Sequence, residues 1–313
     1  AECRVGNGNG GIQSCTALGT SALLVSPGNL ARTTAVGVDT LKALTQPSHD
    51  NTAVGSTALT ALIGHFLGAT GHENTAVGSK ALSTTTQGIA NTAVGMNALA
   101  DGNCVNNNTA VGKSALKVFT GSDATAVGAG AADSATTSAN ITAVGRDALT
   151  ALTHADAENN TAIGAYSLDG LTGASSAGHS NAAVGAYSLS TTVDGMRNTA
   201  LGKSALHGGD CANDNTGVGY NALYSFTGSN ATTVGSGAAG AATTASQLTA
   251  IGKDAAGAVT AATDVTAIGY QSLKAVTTTT LGGYCTAVGS YAGLNTIRQH
   301  NTAIGSNAAL NLG

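Results

Sequence analysis

The chain has 313 residues and a formal net charge of −4, and only 9% of its residues are charged and 3% aromatic. This composition excludes the basic stripe that nucleic-acid binding needs and a thick core built on large aromatic side chains. No segment reaches the run of about 18 apolar residues that a membrane helix requires, so no membrane span is predicted.

A short repeat runs through the whole chain. Its consensus is N-T-A-V-G-x-x-A-L followed by a variable polar segment, and the residue before the glycine is Val, Ile or Leu in all 18 copies. A unit this short cannot bury an apolar face alone, so successive copies must stack. In chain order the motif glycines are Gly6, Gly19, Gly37, Gly55, Gly78, Gly95, Gly112, Gly128, Gly145, Gly164, Gly185, Gly202, Gly219, Gly235, Gly252, Gly269, Gly289 and Gly305.

Each copy predicts a strand, a turn at the glycine and a second strand, because Thr and Val favour strands and glycine permits a backbone turn. Alternation places Thr and Val on one face and Ala and Gly on the other. Since the aliphatic residue is expected to face the core, Val94, Val111, Val127 and their equivalents are predicted to be buried. The Ala/Gly face then becomes a contact seam, either between chains or against the chain's own second sheet. Asn precedes the glycine by four residues in nine copies and predicts a hydrogen-bonded ladder at the corner.

The predicted fold is all-β, a parallel β-solenoid of about 18 coils with 16 to 23 residues per coil. A longer period of 107 residues relates Gly95 to Gly202 and Gly112 to Gly219, and it divides the coils into three six-coil blocks, 1–107, 108–214 and 215–313. The spacing at both block boundaries is 17 residues without a Pro- or Ser-rich linker, which predicts one continuous solenoid over 1–313. The longest spacings predict protruding loops after Gly55, Gly164 and Gly269.

The N-T-A-V-G-x-x-A-L unit resembles the N-S-V-A-I-G-x-x-S repeat in the YadA-like heads of trimeric autotransporter adhesins. It is still more similar to the N-T-A-I-G repeats of some phage tail-fibre and microbial surface proteins. The resemblance implies a left-handed parallel β-roll, often trimeric, that works in adhesion or as a fibre shaft outside the cell or on its surface. The coils here are longer than those of the adhesin family, and no heptad stalk is visible. The family has no catalytic residues to carry over.

Cysteines and sequons supply the candidate modification sites. Cys3 and Cys15 fall in adjacent copies and form a candidate disulfide. Cys104 and Cys211 lie one block apart, about 29 Å along a straight rod, and cannot pair with each other. With Cys285 they are candidate free thiols or inter-chain partners. Sequons of the form N-x-[ST] make candidate glycosylation sites of Asn107, Asn140, Asn159 and Asn230, although the motif Thr completes this pattern automatically.

The remaining polar residues predict no catalytic, cofactor or metal site, and the chain is predicted not to be an enzyme. No two histidines have the sequence spacing of a zinc site. The pairs His49–Asp50 and His154–Asp156 lack a nucleophile placed by the motif. Segment 6–11 and the aspartates Asp210 and Asp214 are weak calcium candidates. The histidines are His49, His65, His72, His154, His179, His207 and His300.

These observations predict an extracellular structural fibre or adhesin subunit that assembles with itself, with glycans or a cell surface as further partners. Homotrimers around the Ala/Gly seam and head-to-tail filaments are both open. The filament is suggested by the partial coils before Gly6 and after Gly305, which together approach one coil. One alternative is an ice-binding solenoid, although its Thr ranks are expected on the buried face. The other is a left-handed β-helix acyltransferase, which needs about three hexapeptides per coil where this chain supplies one.

Overall fold

The fold is all-β, as predicted, and is a parallel β-solenoid of about 15 turns, slightly fewer than the predicted 18. The chain divides into two compact units, 1–158 and 159–313, which are described separately. A single continuous solenoid over 1–313 stays a prediction. The computed structural model describes residues 3–6, 15–23, 30–44, 48–63, 71–153, 157–172, 178–261, 263–274, 284–294 and 300–310.

The first unit holds eight parallel motif strands, which enclose seven turns; β1 and the short pair β3 and β5 lie outside this series. Its strands are β1 (Cys3–Gly6), β2 (Cys15–Leu18), β3 (Leu30–Ala31), β4 (Thr34–Val36), β5 (Ser48–His49), β6 (Thr52–Val54), β7 (Thr75–Val77), β8 (Thr92–Val94), β9 (Thr109–Val111), β10 (Thr125–Val127) and β11 (Thr142–Val144).

The second unit holds nine parallel motif strands, which enclose eight turns. These strands are β12 (Thr161–Ile163), β13 (Ala182–Val184), β14 (Thr199–Leu201), β15 (Thr216–Val218), β16 (Thr232–Val234), β17 (Ser246–Ile251), β18 (Thr263–Ile268), β19 (Cys285–Val288) and β20 (Thr302–Ile304).

Motif strands stack in register, so that like residues form columns. Strand β8 pairs with β9 in parallel, with Thr on Thr, Ala on Ala and Val on Val. The backbone N–H of Gly95 donates to the carbonyl of Val77 in the preceding coil at 2.7 Å. The N–H of Thr92 donates to the backbone carbonyl of Asn108 in the following coil, also at 2.7 Å. A coil in the middle of a unit is therefore bonded to both of its neighbours.

The predicted orientation of the strands is wrong. Val94, Val111 and Val127 are 37%, 36% and 37% exposed, whereas Ala93 and Ala110 are fully buried. The Thr and Val side chains point outward, and the Ala column lies inside the coil. The Ala/Gly face is therefore not a seam between chains; it closes against the interior of its own coil.

The reason for this reversal is that residues after the glycine fill the core. Leu99, Leu116 and Phe119 are fully buried. Most coils place Ala on the strand opposite these large side chains, where a methyl group fills the remaining space. Thr233 takes this place in one coil, where it is fully buried and its hydroxyl donates to the Thr216 carbonyl at 3.3 Å. Phe119 in turn occupies space left by a glycine, because a Cβ on Gly121 would lie 2.7 Å from its ring.

Backbone conformations with positive φ make the turn after each motif glycine. The N–H of Ala98 donates to the carbonyl of Gly95 at 3.3 Å, and Asn97 between them has φ of 58°. Leu99 also has positive φ, 49°, and the equivalent residue of other coils shares this conformation. Such values cost a non-glycine residue about 1 kcal/mol or more and persist only where the surroundings enforce them.

The motif glycine itself has φ near +135°, as in Gly95 and Gly112. A Cβ on Gly95 would lie 2.5 Å from the carbonyl oxygen of Gly112 in the next coil, and the same close approach recurs along the column. No side chain fits at this distance, so the glycine is required by the stacking of coils as well as by its own backbone conformation.

The first copy of the repeat and the predicted protruding loops differ from the other coils in what the structure shows of them. The copy at Gly6 is not a coil of the parallel series, because β1 pairs antiparallel with β2 and covers its outer edge. Head-to-tail assembly into a filament stays a prediction. The predicted protruding loops contain stretches 64–70, 173–177 and 275–283, which lie outside the described residues.

Two glycine substitutions test the close approach of the coils. Gly95→Ala places a methyl group against the Gly112 carbonyl and is expected to lower the free energy of unfolding by about 3 kcal/mol. Gly217→Ala is the matched control, because Gly217 occupies the Ala column and a Cβ there meets only ordinary contacts at 3.4 and 3.5 Å. It is expected to be neutral or to stabilise by up to about 1 kcal/mol. Urea unfolding measures both, and equal effects would contradict the role assigned to the glycine column.

Candidate functional surface

The most regular surface of each unit is the outward side of its motif strands, here called the Thr/Val face. It consists of two columns. The first is formed by the residue three before the motif glycine, which is Thr in every coil of the parallel series except at Ala182. The second is formed by the Val, Ile or Leu directly before the glycine. Neighbouring strands lie about 4.8 Å apart, and the two columns about 7 Å apart. Neither column contains a charged residue in β2, β4 or β6 to β20. The face is therefore uncharged and evenly spaced.

A buried asparagine ladder supports this face from inside, as the sequence predicted. The backbone N–H of Asn91 donates to the Asn74 side-chain oxygen at 3.1 Å, and the Asn91 side-chain amide donates to the Val105 carbonyl at 3.0 Å. The same pattern joins Asn181 to Asn198 in the second unit. The side-chain oxygen and nitrogen of these amides are thus both hydrogen-bonded, so their burial leaves no unsatisfied polar group to lower the stability. The ladder comprises Asn51, Asn74, Asn91 and Asn108 in the first unit and Asn160, Asn181, Asn198 and Asn215 in the second.

Four cysteines with described side chains, Cys15, Cys104, Cys211 and Cys285, are buried. Cys104 Sγ lies 3.0 Å from the Thr85 hydroxyl, and Cys211 Sγ lies 3.0 Å from the Thr192 hydroxyl. Burial raises the pKa of each of these two thiols to about 11, so both are protonated at neutral pH. They are free thiols, and their burial does not suit inter-chain bonding; Cys285 is buried too.

The disulfide between Cys3 and Cys15 stays a prediction, because the Cys3 side chain lies outside the described part of the chain. The backbone register sets Cys15 opposite Gly6 and Cys3 opposite Leu18.

The four sequon asparagines are placed at one corner of the coil, five residues before the motif glycine. Asn107, Asn140, Asn159 and Asn230 are all exposed. Each has positive φ, between 54° and 59°. Their accessibility suits a glycan, and glycosylation stays a prediction.

The aspartates named as weak calcium ligands already have partners within the protein. Asp214 forms a two-bond ion pair with Arg197, at 2.7 and 2.8 Å. Asp210 accepts a hydrogen bond from the Val193 N–H at 2.8 Å. The other calcium candidate, 6–11, lies mostly outside the described residues, as do His65 and His154.

Sequence reasoning missed one group of side chains. His49 and His72 stack with ring centroids 4.6 Å apart, and Glu73 lies beside them. Both histidines precede their motif glycine by six residues, in adjacent coils. Aligning the variable segments on the glycines would have brought them together, whereas a search for fixed sequence spacing did not.

The histidines and the neighbouring hydroxyl do not form a nucleophile and base. Ser48 points inward and donates to the Gly71 carbonyl, while His49 points outward to Asp50, with Nδ1 and Oδ2 2.9 Å apart. Elsewhere His207 packs between Tyr187 and Tyr224, and His300 stacks on Tyr284 with centroids 5.0 Å apart.

No protein-family model matches the chain, and neither does any curated protein. Within the described ranges, the structure contains no helix long and apolar enough to cross a membrane.

Proposed function

We propose that the chain is a non-enzymatic structural subunit of an extracellular fibre or adhesin, and that copies associate laterally through the Thr/Val face. The observation that supports this proposal is the column of aliphatic side chains on that face, every one of which is at least partly exposed. Val94, Val111 and Val127 follow one another in the first unit, and Leu201, Val234 and Ile251 are similarly exposed in the second.

The size of the face suits a binding role. In the first unit alone, eight strands about 4.8 Å apart and about 10 Å long give a face of about 400 Å², which the threonine and aliphatic columns share. Exposed patches of a few hundred Å² that carry aliphatic side chains commonly mark sites of interaction on soluble proteins. The contact from one unit is at the low end for a stable protein interface, so affinity would grow with the number of coils engaged.

A second copy of the chain is the partner that fits the face best. Two such faces have the same column spacing, so that the aliphatic column of one copy can lie along that of another over many coils. Flat β-sheets pack face to face at about 10 Å through side chains of this kind. Neither copy brings a charge into the contact, so no desolvated ion opposes it.

The fibre and adhesin assignment rests on the repeat itself and on the flanks of the face. The repeat resembles those of adhesin heads and phage tail fibres, which work in adhesion or as a fibre shaft. The corner that carries Asn107 and Asn140 is exposed and precedes the motif strands by two residues, so it is accessible to glycans. Adhesion to glycans or to a cell surface belongs to the same proposal.

Substitution of one exposed valine tests lateral association. Val111→Lys puts a charge into the middle of the face and is expected to weaken self-association at least about tenfold, because like charges then oppose each other across the contact. Val105→Lys adds the same charge at a side chain that is 49% exposed and lies outside the face, and it is expected to associate as the wild type does. Light scattering over a range of concentrations measures both. A wild-type chain that stays monomeric throughout would contradict the proposal.

Ice binding is a second candidate function, and the orientation of Thr favours it. The argument against it in the sequence was that Thr would share the buried face. Thr16 and Thr125 are instead exposed, and the threonine column of each unit lies on the outside in register with its neighbours. An uncharged array of hydroxyl and methyl groups that repeats about every 4.8 Å is what a regular ice surface can match.

Thermal hysteresis of the wild-type solution separates the two functions. If the face binds ice, the wild type lowers the freezing point below the melting point. Thr109→Tyr then reduces this difference severalfold, because a bulky ring interrupts the regular array of threonine side chains. Val105→Tyr, outside the face, leaves the difference unchanged. Absence of thermal hysteresis in the wild type rules out ice binding, whereas lateral association is decided separately by light scattering.

A further inference from the structure

The pair of histidines in the first unit stands on a rigid backbone. His49 belongs to β5, and His72 occupies the equivalent position one coil later. The N–H of Glu73 donates to the His49 carbonyl at 3.1 Å, and the N–H of Ala90 donates to the His72 carbonyl at 3.1 Å. These bonds fix the separation of the two coils and hold both imidazoles on the same side of the solenoid.

The three side chains converge. His49, His72 and Glu73 each offer one ligand atom, and the three atoms lie within 4.8 Å of one another. His72 Nδ1 is 3.2 Å from a Glu73 carboxylate oxygen, close to the separation of two ligands on one small cation. The His72 side chain is only 14% exposed, whereas Glu73 is 55% exposed and His49 42%. His72 is thus a fixed anchor, and the other two can move the remaining distance.

A carboxylate behind His49 orients its ring. Asp50 Oδ2 lies 2.9 Å from His49 Nδ1, which directs the other ring nitrogen, Nε2, away from Asp50. Asp50 is held in turn by Arg32 through two bonds, at 2.5 and 2.7 Å. A charged carboxylate bonded to the far nitrogen of a ligand histidine is the usual outer shell of a protein metal site.

We infer that His49, His72 and Glu73 bind a divalent transition-metal ion of the zinc class. Two imidazole nitrogens and one carboxylate are the donors that zinc accepts, with a fourth position left for water. Oxygen-seeking ions such as calcium are disfavoured, because two of the three donors are nitrogen. The buried thiols of Cys104 and Cys211 do not compete, since they are protonated and enclosed. The site does not depend on the proposed fibre function.

Calorimetric titration of the full, metal-stripped chain with Zn²⁺ at pH 7.5 tests this site. The wild type is expected to bind one ion tightly. His49→Gln and His72→Gln each remove a nitrogen ligand and are expected to weaken binding at least about tenfold, and Glu73→Gln by a smaller factor. His179→Gln is the matched control, because His179 has the same position relative to its glycine but belongs to no such group within the described residues. It is expected to bind zinc as the wild type does.

Zinc-edge X-ray absorption supplies a second readout, with two imidazole ligands expected in the wild type and one in His49→Gln. If His72→Gln fails to fold, His49→Gln and Glu73→Gln still decide the matter, because their side chains are largely exposed. Absence of zinc binding by the wild type would overturn the inference. So would binding that His49→Gln and Glu73→Gln leave unchanged, since the ion would then sit elsewhere.

Discussion

The contact between the motif glycine of one coil and the backbone carbonyl of the next is the constraint on which the other features depend. A Cβ at Gly95 would lie 2.5 Å from that carbonyl oxygen, and in the second unit a Cβ at Gly202 would lie 2.6 Å from the carbonyl oxygen of Gly219. Coils therefore stack at backbone contact distance along this column. A coil that slipped by one residue would bring a side chain to the glycine position, where it does not fit. The contact thus sets the phase of successive coils within each unit.

Once the phase is set, each position counted from the glycine becomes a column of like residues. Polar side chains can be buried in such a column because each one bonds to its neighbours in the adjacent coils. An asparagine amide buried alone would leave polar groups unsatisfied at a cost of about 1–3 kcal/mol each. In the column, Asn74 accepts from the backbone of Asn91, and its amide donates to the carbonyl of Gly88 at 2.7 Å. The column ends at Ala124, whose backbone N–H donates to the side-chain oxygen of Asn108, so the last asparagine also has its oxygen bonded. The interior is therefore partly polar and yet well bonded.

The same phase explains which features could be predicted from the sequence. A strict period predicts stacking, register and the asparagine ladder, because these depend only on which residues recur. The direction of the strand depends on how much space the core leaves, and a hydrophobicity argument placed Val111 inside where only Ala110 fits. The positive φ of Leu99 has no sequence signal, since leucine rarely adopts it and here the neighbouring coils impose it. The antiparallel strand at Cys3–Gly6 was taken for a coil because its last two residues match the motif. The proximity of His49 and His72 could be found in the sequence only by counting each residue's distance from its motif glycine.

The central claim is that Ala and Asn point inward while Thr and Val point outward. The most direct measurement of it is the free energy of unfolding of two neighbouring aspartate variants. Ala110→Asp buries a carboxylate in a fully enclosed position and is predicted to cost several kcal/mol, about 3 or more. Val111→Asp places the same charge on the exposed face and is predicted to cost less than about 1 kcal/mol. A large loss in Val111→Asp together with a small one in Ala110→Asp would show that the faces are reversed and would contradict the account.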